Sequence, residues 1–227
     1  MTRAGEIAVR LADVTARIAA AAVRCGRPPD SVLLVAVGKT YPLSDLLLAH
    51  AAGARAFGEN RVQEAEEKFS GLPPDSAGHL IGPLQSNKVN RAVKSAEVVQ
   101  TIDSLDLARR LDAAASACGK RLGVFIQVRL GGEATKSGVE PAGAAALVET
   151  VRELPALDLR GLMTIPPPGE TRPHFAELRK LGSALGLSEL SMGMSEDFEA
   201  AIEEGATLVR IGSAIFGERV PVLPSAR

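Results

Sequence analysis

The chain has 227 residues, 46% of them hydrophobic and 23% charged, with a formal net charge of -1. That length and apolar content suit one soluble globular domain with a sizeable core, and near-neutral charge excludes a broadly basic nucleic-acid or membrane-surface binder. With no Trp, one Tyr and six Phe, a base-stacking platform is excluded as well.

In chain order, residues 4–25 read as an amphipathic helix with Ile7, Leu11, Val14 and Ile18 at helical spacing. Arg3, Arg10, Arg17 and Arg24 recur every seven residues and give one polar ridge. Glu6 and Asp13 interrupt the basic face, which argues against a transit peptide, and the start lacks the apolar core of a secretory signal. The expectation is a helix that lids or packs against the main body, ended by Gly26-Arg-Pro-Pro-Asp30. No apolar run approaches the ~18 residues of a membrane span. Cys25 and Cys118 form no metal-spaced pair and suit a reducing compartment. The expected location is the cytoplasm.

Ser31-Val-Leu-Leu-Val-Ala-Val-Gly-Lys39-Thr40-Tyr41 follows. Its unbroken apolar run predicts a strand buried on both faces, as in a parallel sheet. A lysine at the carboxyl end of such a strand stands where parallel α/β folds place their chemistry. Partial desolvation there would leave a neutral amine able to attack a carbonyl. An ordinary strand-end lysine reaching solvent is the other reading of this stretch.

Further apolar runs lie near 55–58, 79–82, 97–102, 122–128, 158–163, 188–192 and 207–211, with helix-patterned segments between them. The clearest are 104–118 behind a Ser104 cap, 141–154 opened by Pro141, and 195–204 with Ser195 as a hydroxyl cap. Eight strands alternating with helices predict a closed parallel (β/α)₈ TIM barrel, usually about 250 residues. A doubly wound open sheet is the alternative. The expected layout is a single domain over 1–227: an N-terminal helix and linker (1–30), the barrel (31–217) and a tail (218–227).

Two late segments carry the marks of phosphate binding. Ser191-Met-Gly-Met194-Ser195 follows the seventh strand, and Arg210-Ile-Gly212-Ser213-Ala-Ile-Phe-Gly217 spans the end of the eighth. Glycine admits a close backbone N–H, a hydroxyl adds a donor, and a helix start adds its dipole. Barrels often build a phosphate site from these two loops. Arg210 could bind phosphate, bond a ring or carboxylate, or pair with an acid such as Glu204. His79, at a strand start, reads as a packed core histidine. His50 and His174 have no companions at ligand spacing, so no metal site is supported.

Val37-Gly-Lys39-Thr40, Phe57-Gly-Glu-Asn60, His79-Leu-Ile-Gly-Pro-Leu-Gln-Ser-Asn-Lys88, Lys136-Ser-Gly138, Arg160-Gly-Leu-Met163, Gly193-Met-Ser195 and Arg210 to Gly217 together resemble one family. It is the single-domain pyridoxal 5′-phosphate (PLP)-binding proteins of PLP homeostasis, which share the fold type III barrel of the alanine racemase N-terminal domain. The resemblance covers residues 31 to 217, with the segments in family order.

It implies that Lys39 carries PLP as a Schiff base, with Asn60 and Met163 near the ring. Met194, Ser195, Gly212 and Ser213 would lie near the phosphate, and Arg210 would face the pyridine nitrogen. Ser213 stands where the family commonly has threonine and keeps the hydroxyl. The loop at Gly131-Gly132 lacks the asparagine often found there.

Three functions compete: a PLP carrier or regulator without robust catalysis, an amino-acid racemase, and a Schiff-base aldolase. The related racemases use a lysine on one ring face and a tyrosine on the other, the tyrosine coming from an added β domain for which the residues after Gly217 leave no room. Tyr41, the sole tyrosine, is only two residues past Lys39. The aldolase lacks an acid/base pair. The expected role is therefore PLP homeostasis, by a monomer that holds PLP and regulates or delivers it, with apo PLP-dependent enzymes as candidate recipients. Lys88 and Lys136, on mouth-side loops, are candidates for a part in release.

Overall fold

Eight strands form the frame of the protein, seen in a computed structural model that describes residues 1–131 and 137–218. They are β1 (Leu33–Val37), β2 (Ala56–Glu59), β3 (Ala77–Leu80), β4 (Val98–Ile102), β5 (Leu122–Gln127), β6 (Leu157–Met163), β7 (Glu189–Ser191) and β8 (Leu208–Ile211). Every neighbouring pair is parallel, and β8 returns to β1 with Val35 opposite Arg210. The sheet is thus a closed barrel, and the open-sheet alternative is excluded.

The near-continuous apolar runs have a direct cause: both faces of each strand are covered. Val35, Ala56, Val98, Phe125, Met163 and Leu208 form a layer inside the barrel. Alternate residues such as Ala36, Phe57, Val99, Ile126 and Leu162 face outward into the helix layer.

The helices are α1 (Arg3–Arg24), α2 (Leu43–Ala51), α3 (Val62–Phe69), α4 (Val89–Ser95), α5 (Leu105–Ala117), α6 (Pro141–Arg152), α7 (Arg172–Ala184), α8 (Phe198–Glu203) and α9 (Ser213–Phe216), with a 3₁₀ turn at Ser86–Lys88. Ser104 caps α5, its hydroxyl accepting from the Leu107 N–H at 3.4 Å, and Pro141 opens α6, both as expected. The predicted helix at 195–204 is shorter. Asp197 accepts from the Met194 N–H at 2.7 Å, the Met194 carbonyl accepts from Asp197 and Phe198, and this turn delays α8 until Phe198. Ser195 is therefore not its cap.

Among the described residues β8 is followed only by the four-residue α9. The N-terminal helix α1 takes the outer place left there, packing on α2, α8 and α9. Ile7, Leu11, Val14 and Ile18 are buried in that contact, each contributing roughly 1.5–3 kcal/mol. The arginine ridge is the polar side of the same seam. Arg3 pairs with Asp45 and donates to the Phe216 carbonyl at 2.9 Å, Arg17 pairs with Glu199, and Arg24 with Glu203. Arg10 lies against Gly217. Among the described residues no helix is long and apolar enough to cross a membrane.

Candidate functional site at the carboxyl rim of the barrel

Lys39 stands two residues beyond β1, partly buried at the carboxyl end of the barrel. The peptide groups on either side of it are held from α3. Lys68, buried on that helix, donates to the Gly38 carbonyl at 2.9 Å, to Glu59 Oε1 at 2.8 Å and to Glu64 Oε2 at 3.0 Å. Glu64 in turn accepts from the Thr40 N–H at 3.1 Å. Thr40 has φ 71°, and among the described residues it is the one non-glycine with positive φ. Such a conformation costs on the order of 1–3 kcal/mol and persists only where its surroundings enforce it. Here the Glu64 carboxylate does so.

Glu59 is fully buried. Burial pushes its carboxyl up to about 7, against the pull of Lys68, and its Oε2 has no partner among the described residues. Burial also opposes ionisation of Glu64, but the Thr40 N–H and Lys68 outweigh it and hold that carboxyl below its usual range.

The loops after β7 and β8 meet beside the end of β1. Gly212 lies against the Val37 carbonyl, and the Ser213 hydroxyl is 3.2 Å from that of Ser195. The turn that displaces the start of α8 leaves Ser195 facing Ser213 rather than capping. Gly193 has φ 93°, and a Cβ there would stand 2.6 Å from the Ala201 Cβ, so only glycine lets this loop fold onto α8. Met194 is 41% exposed at the loop tip.

Arg210 is buried, at 3% exposure. It donates to Ser191 Oγ at 2.6 Å and to the Thr164 carbonyl at 2.8 Å. Burial pushes its guanidinium down to about 10, so it stays charged at neutral pH. Glu204 pairs with Arg172 and Arg179 instead, and among the described residues no ion pair joins Arg210 to a carboxylate. A buried cation with no carboxylate in direct contact, acted on only through space by Asp197, is costly. Such a site suits a ligand that brings an acceptor or an anion.

Met163 ends β6 and belongs to the apolar layer inside the barrel. Gln127, opposite Met163 on β5, has a buried Oε1 with no partner among the described residues. Asn60 follows β2, with its carbonyl so close to Gly82 that a Cβ there would stand 2.2 Å away. A cleft of about 680 Å³ separates the loops after β2 and β3, lined by Asn60, Arg61, Gln63, Glu64, Gln85 and Lys88. A larger hollow of about 910 Å³ lies between α1 and the opposite ends of β1 and β8, away from Lys39.

The rim thus gathers Lys39, Asn60, Met163, Met194, Ser195, Arg210, Gly212 and Ser213. Lys136 lies outside the described residues. His79 is buried and hydrogen-bonded, as a core histidine should be. Sequence reasoning did not single out Lys68 or Gln100, nor the buried partners they give to Glu59 and Ser191, two residues already within the quoted segments. Lys68 gave a signal: it falls three residues after Ala65, on the buried face of α3. Gln100 gave another, as a polar residue inside a fully buried strand. Tyr41 is occupied elsewhere: its hydroxyl donates to the Gly217 carbonyl at 2.6 Å, and its ring lies 4.9 Å from that of Phe216.

The family model described as alanine racemase, N-terminal domain, matches residues 9–220. A pyridoxal phosphate homeostasis protein of Pseudomonas aeruginosa is 48% identical over 222 residues, covering 94% of this chain and 96% of that protein. One from Escherichia coli K12 is 44% identical, covering 94% and 97%. The structure of PipY from Synechococcus elongatus with PLP bound matches with TM-score 0.82 and 41% identity, covering 93% of this chain and all of that one. An alanine racemase of Clostridium difficile matches with TM-score 0.71 at 17% identity, covering 86% of this chain and 53% of its own, a likeness of fold alone.

Proposed function

Since the chain belongs to the alanine racemase N-terminal domain family, and within it to the pyridoxal phosphate homeostasis proteins, we propose that it holds PLP on Lys39 and serves PLP homeostasis. The observation that carries the reading is the buried Arg210, charged and without a carboxylate partner, on the same rim as Lys39 and the paired hydroxyls of Ser195 and Ser213. These groups fit each part of the cofactor.

Lys39 supplies an amine for the aldehyde. Gly212, Ser213, Ser195 and the Met194 loop would hold the phosphate, Met163 and Asn60 would lie near the ring, and Arg210 would serve the ring nitrogen. When bound, PLP supplies an electrophilic carbon and an electron-withdrawing ring. A fixed guanidinium at the ring nitrogen disfavours protonation there and weakens the ring as an electron sink. Lys68 and Glu64 orient Lys39 by holding the peptides before and after it.

Such a site retains PLP and promotes carbanion chemistry poorly, which favours a carrier or regulator. Tyr41, tied to Gly217, is not available as the second base of a racemase. Delivery to apo enzymes, a monomeric state and a cytoplasmic location complete the proposal; free Cys25 and Cys118 are in keeping with a reducing compartment. Titration with PLP tests it. The reading expects stoichiometric uptake with a visible absorption band and transfer of PLP to an apo enzyme on mixing. Turnover of alanine at ordinary enzymatic rates, about 1–10³ s⁻¹, contradicts the carrier reading.

A further inference from the structure

Inside the barrel, four buried polar side chains from four strands form one hydrogen-bonded chain. Arg210 of β8 bonds Ser191 Oγ of β7 at 2.6 Å, Ser191 Oγ bonds Gln100 Oε1 of β4 at 2.6 Å, and Gln100 Nε2 bonds His79 Nδ1 of β3 at 2.8 Å. All four are at most 3% exposed. Its direction follows from chemistry. Arginine can only donate, so Ser191 Oγ accepts and passes its single O–H to the Gln100 oxygen. The Gln100 amide then turns its NH₂ to His79, whose Nδ1 must accept, leaving the proton on Nε2.

We propose that His79 and Gln100 are positioning residues for Arg210: their chain fixes Ser191 as an acceptor and so holds the guanidinium ready for the cofactor's ring nitrogen. This rests on the PLP reading of the site. If His79 could not accept, Gln100 would be free to reverse its amide and offer NH₂ to Ser191. The hydroxyl would then face donors from both sides and lose its fixed orientation. Neither His79 nor Gln100 has to touch the cofactor for this effect, since a buried polar network transmits it.

Burial keeps His79 neutral, pushing it down to about 4, with the nearby Arg160 on β6 acting in the same direction. The other charged group that acts on the chain is Asp197, toward Arg210. An acceptor that stays unprotonated across the physiological range suits the end of such a chain.

Two measurements test this. In the cofactor-free protein, ¹⁵N NMR of the imidazoles reads the His79 tautomer without any dependence on PLP. The Nε2–H form with an accepting Nδ1 is expected, and an Nδ1–H form overturns the proposal. In the PLP-loaded protein, His79→Leu removes the acceptor, whereas His79→Asn keeps an acceptor oxygen near the Nδ1 position.

His79→Leu is expected to speed PLP dissociation by about fivefold to tenfold, the worth of one buried hydrogen bond, and to move the pH midpoint of the visible band. His79→Asn is expected to restore both. Equal behaviour of His79→Leu and wild type, or no rescue by His79→Asn, overturns the proposal. Should His79→Leu not fold, Gln100→Leu takes its place with the same expectations. A wild-type protein that takes up no PLP defeats the reading of the site, while the tautomer measurement still decides the hydrogen-bond chain.

Discussion

The ammonium of Lys68 lies 2.9 Å from the carbonyl oxygen of Gly38, one peptide before the lysine proposed to carry the cofactor. With Glu64 holding the Thr40 N–H one peptide after it, α3 clamps Lys39 from both sides. Lys68→Met should leave the barrel closed but free that backbone. The expected result is PLP dissociation faster by about tenfold, given one to two net hydrogen bonds at ~1 kcal/mol each, with a lower Tm. Stopped-flow transfer of PLP to an apo enzyme measures the rate.

Glu59 supplies a pH signature. Its folded-state carboxyl, at about 7, lies above its ordinary value of 4.5, so the folded protein binds the extra proton between those values. Stability from this group is full below about pH 4.5 and is lost as pH rises through 7, by at most about 1.4 kcal/mol per pH unit. His79, lowered to about 4, has the opposite slope from about pH 4 to 6.5. The comparison of wild type with Glu59→Gln therefore isolates the effect. Urea melts at pH 5 and pH 8 should show Glu59→Gln gaining on wild type as pH rises.

Ser195 and Ser213 act on the phosphate alone if the proposed site is right. The double variant Ser195→Ala, Ser213→Ala should weaken PLP binding by roughly tenfold to a hundredfold, at 0.5–1.5 kcal/mol per hydroxyl. Binding of pyridoxal, which lacks the phosphate, should be unchanged. Parallel titrations with the two ligands read the difference, and equal losses for both would count against a phosphate role.

Tyr41 is expected to be structural. Tyr41→Phe removes the bond to the Gly217 carbonyl, and it should cost about 1 kcal/mol of stability while leaving the visible spectrum of bound PLP unchanged. Thermal melts and absorbance read the two effects separately.

The barrel was legible because strands covered on both faces leave long apolar runs, as in Val32–Val37 and Leu122–Val128, and the rim residues sit just beyond them. What stayed hidden has a common physical form. Lys68 reads as a surface charge on a polar helix until α3 packs its face against Gly38. Gln100, Ser191 and His79 lie on three different strands, and only closure of the barrel brings them into one chain with Arg210. The turn at Met194–Asp197 displaced Ser195 from its expected cap position: an aspartate side chain competes for the loop backbone, and the cap falls at Asp197, two residues later. The arginine heptad was visible as a ridge, but its acidic partners Asp45, Glu199 and Glu203 come from α2 and α8.

The central claim is that Lys39 carries the cofactor, and borohydride reduction of the PLP-loaded protein followed by peptide mapping tests it most directly. The account predicts one irreversible pyridoxyl adduct, on the peptide containing Lys39, and its loss together with the visible band in Lys39→Ala. An adduct on Lys68 or Lys88 in the wild-type protein, or no adduct at all, would contradict it.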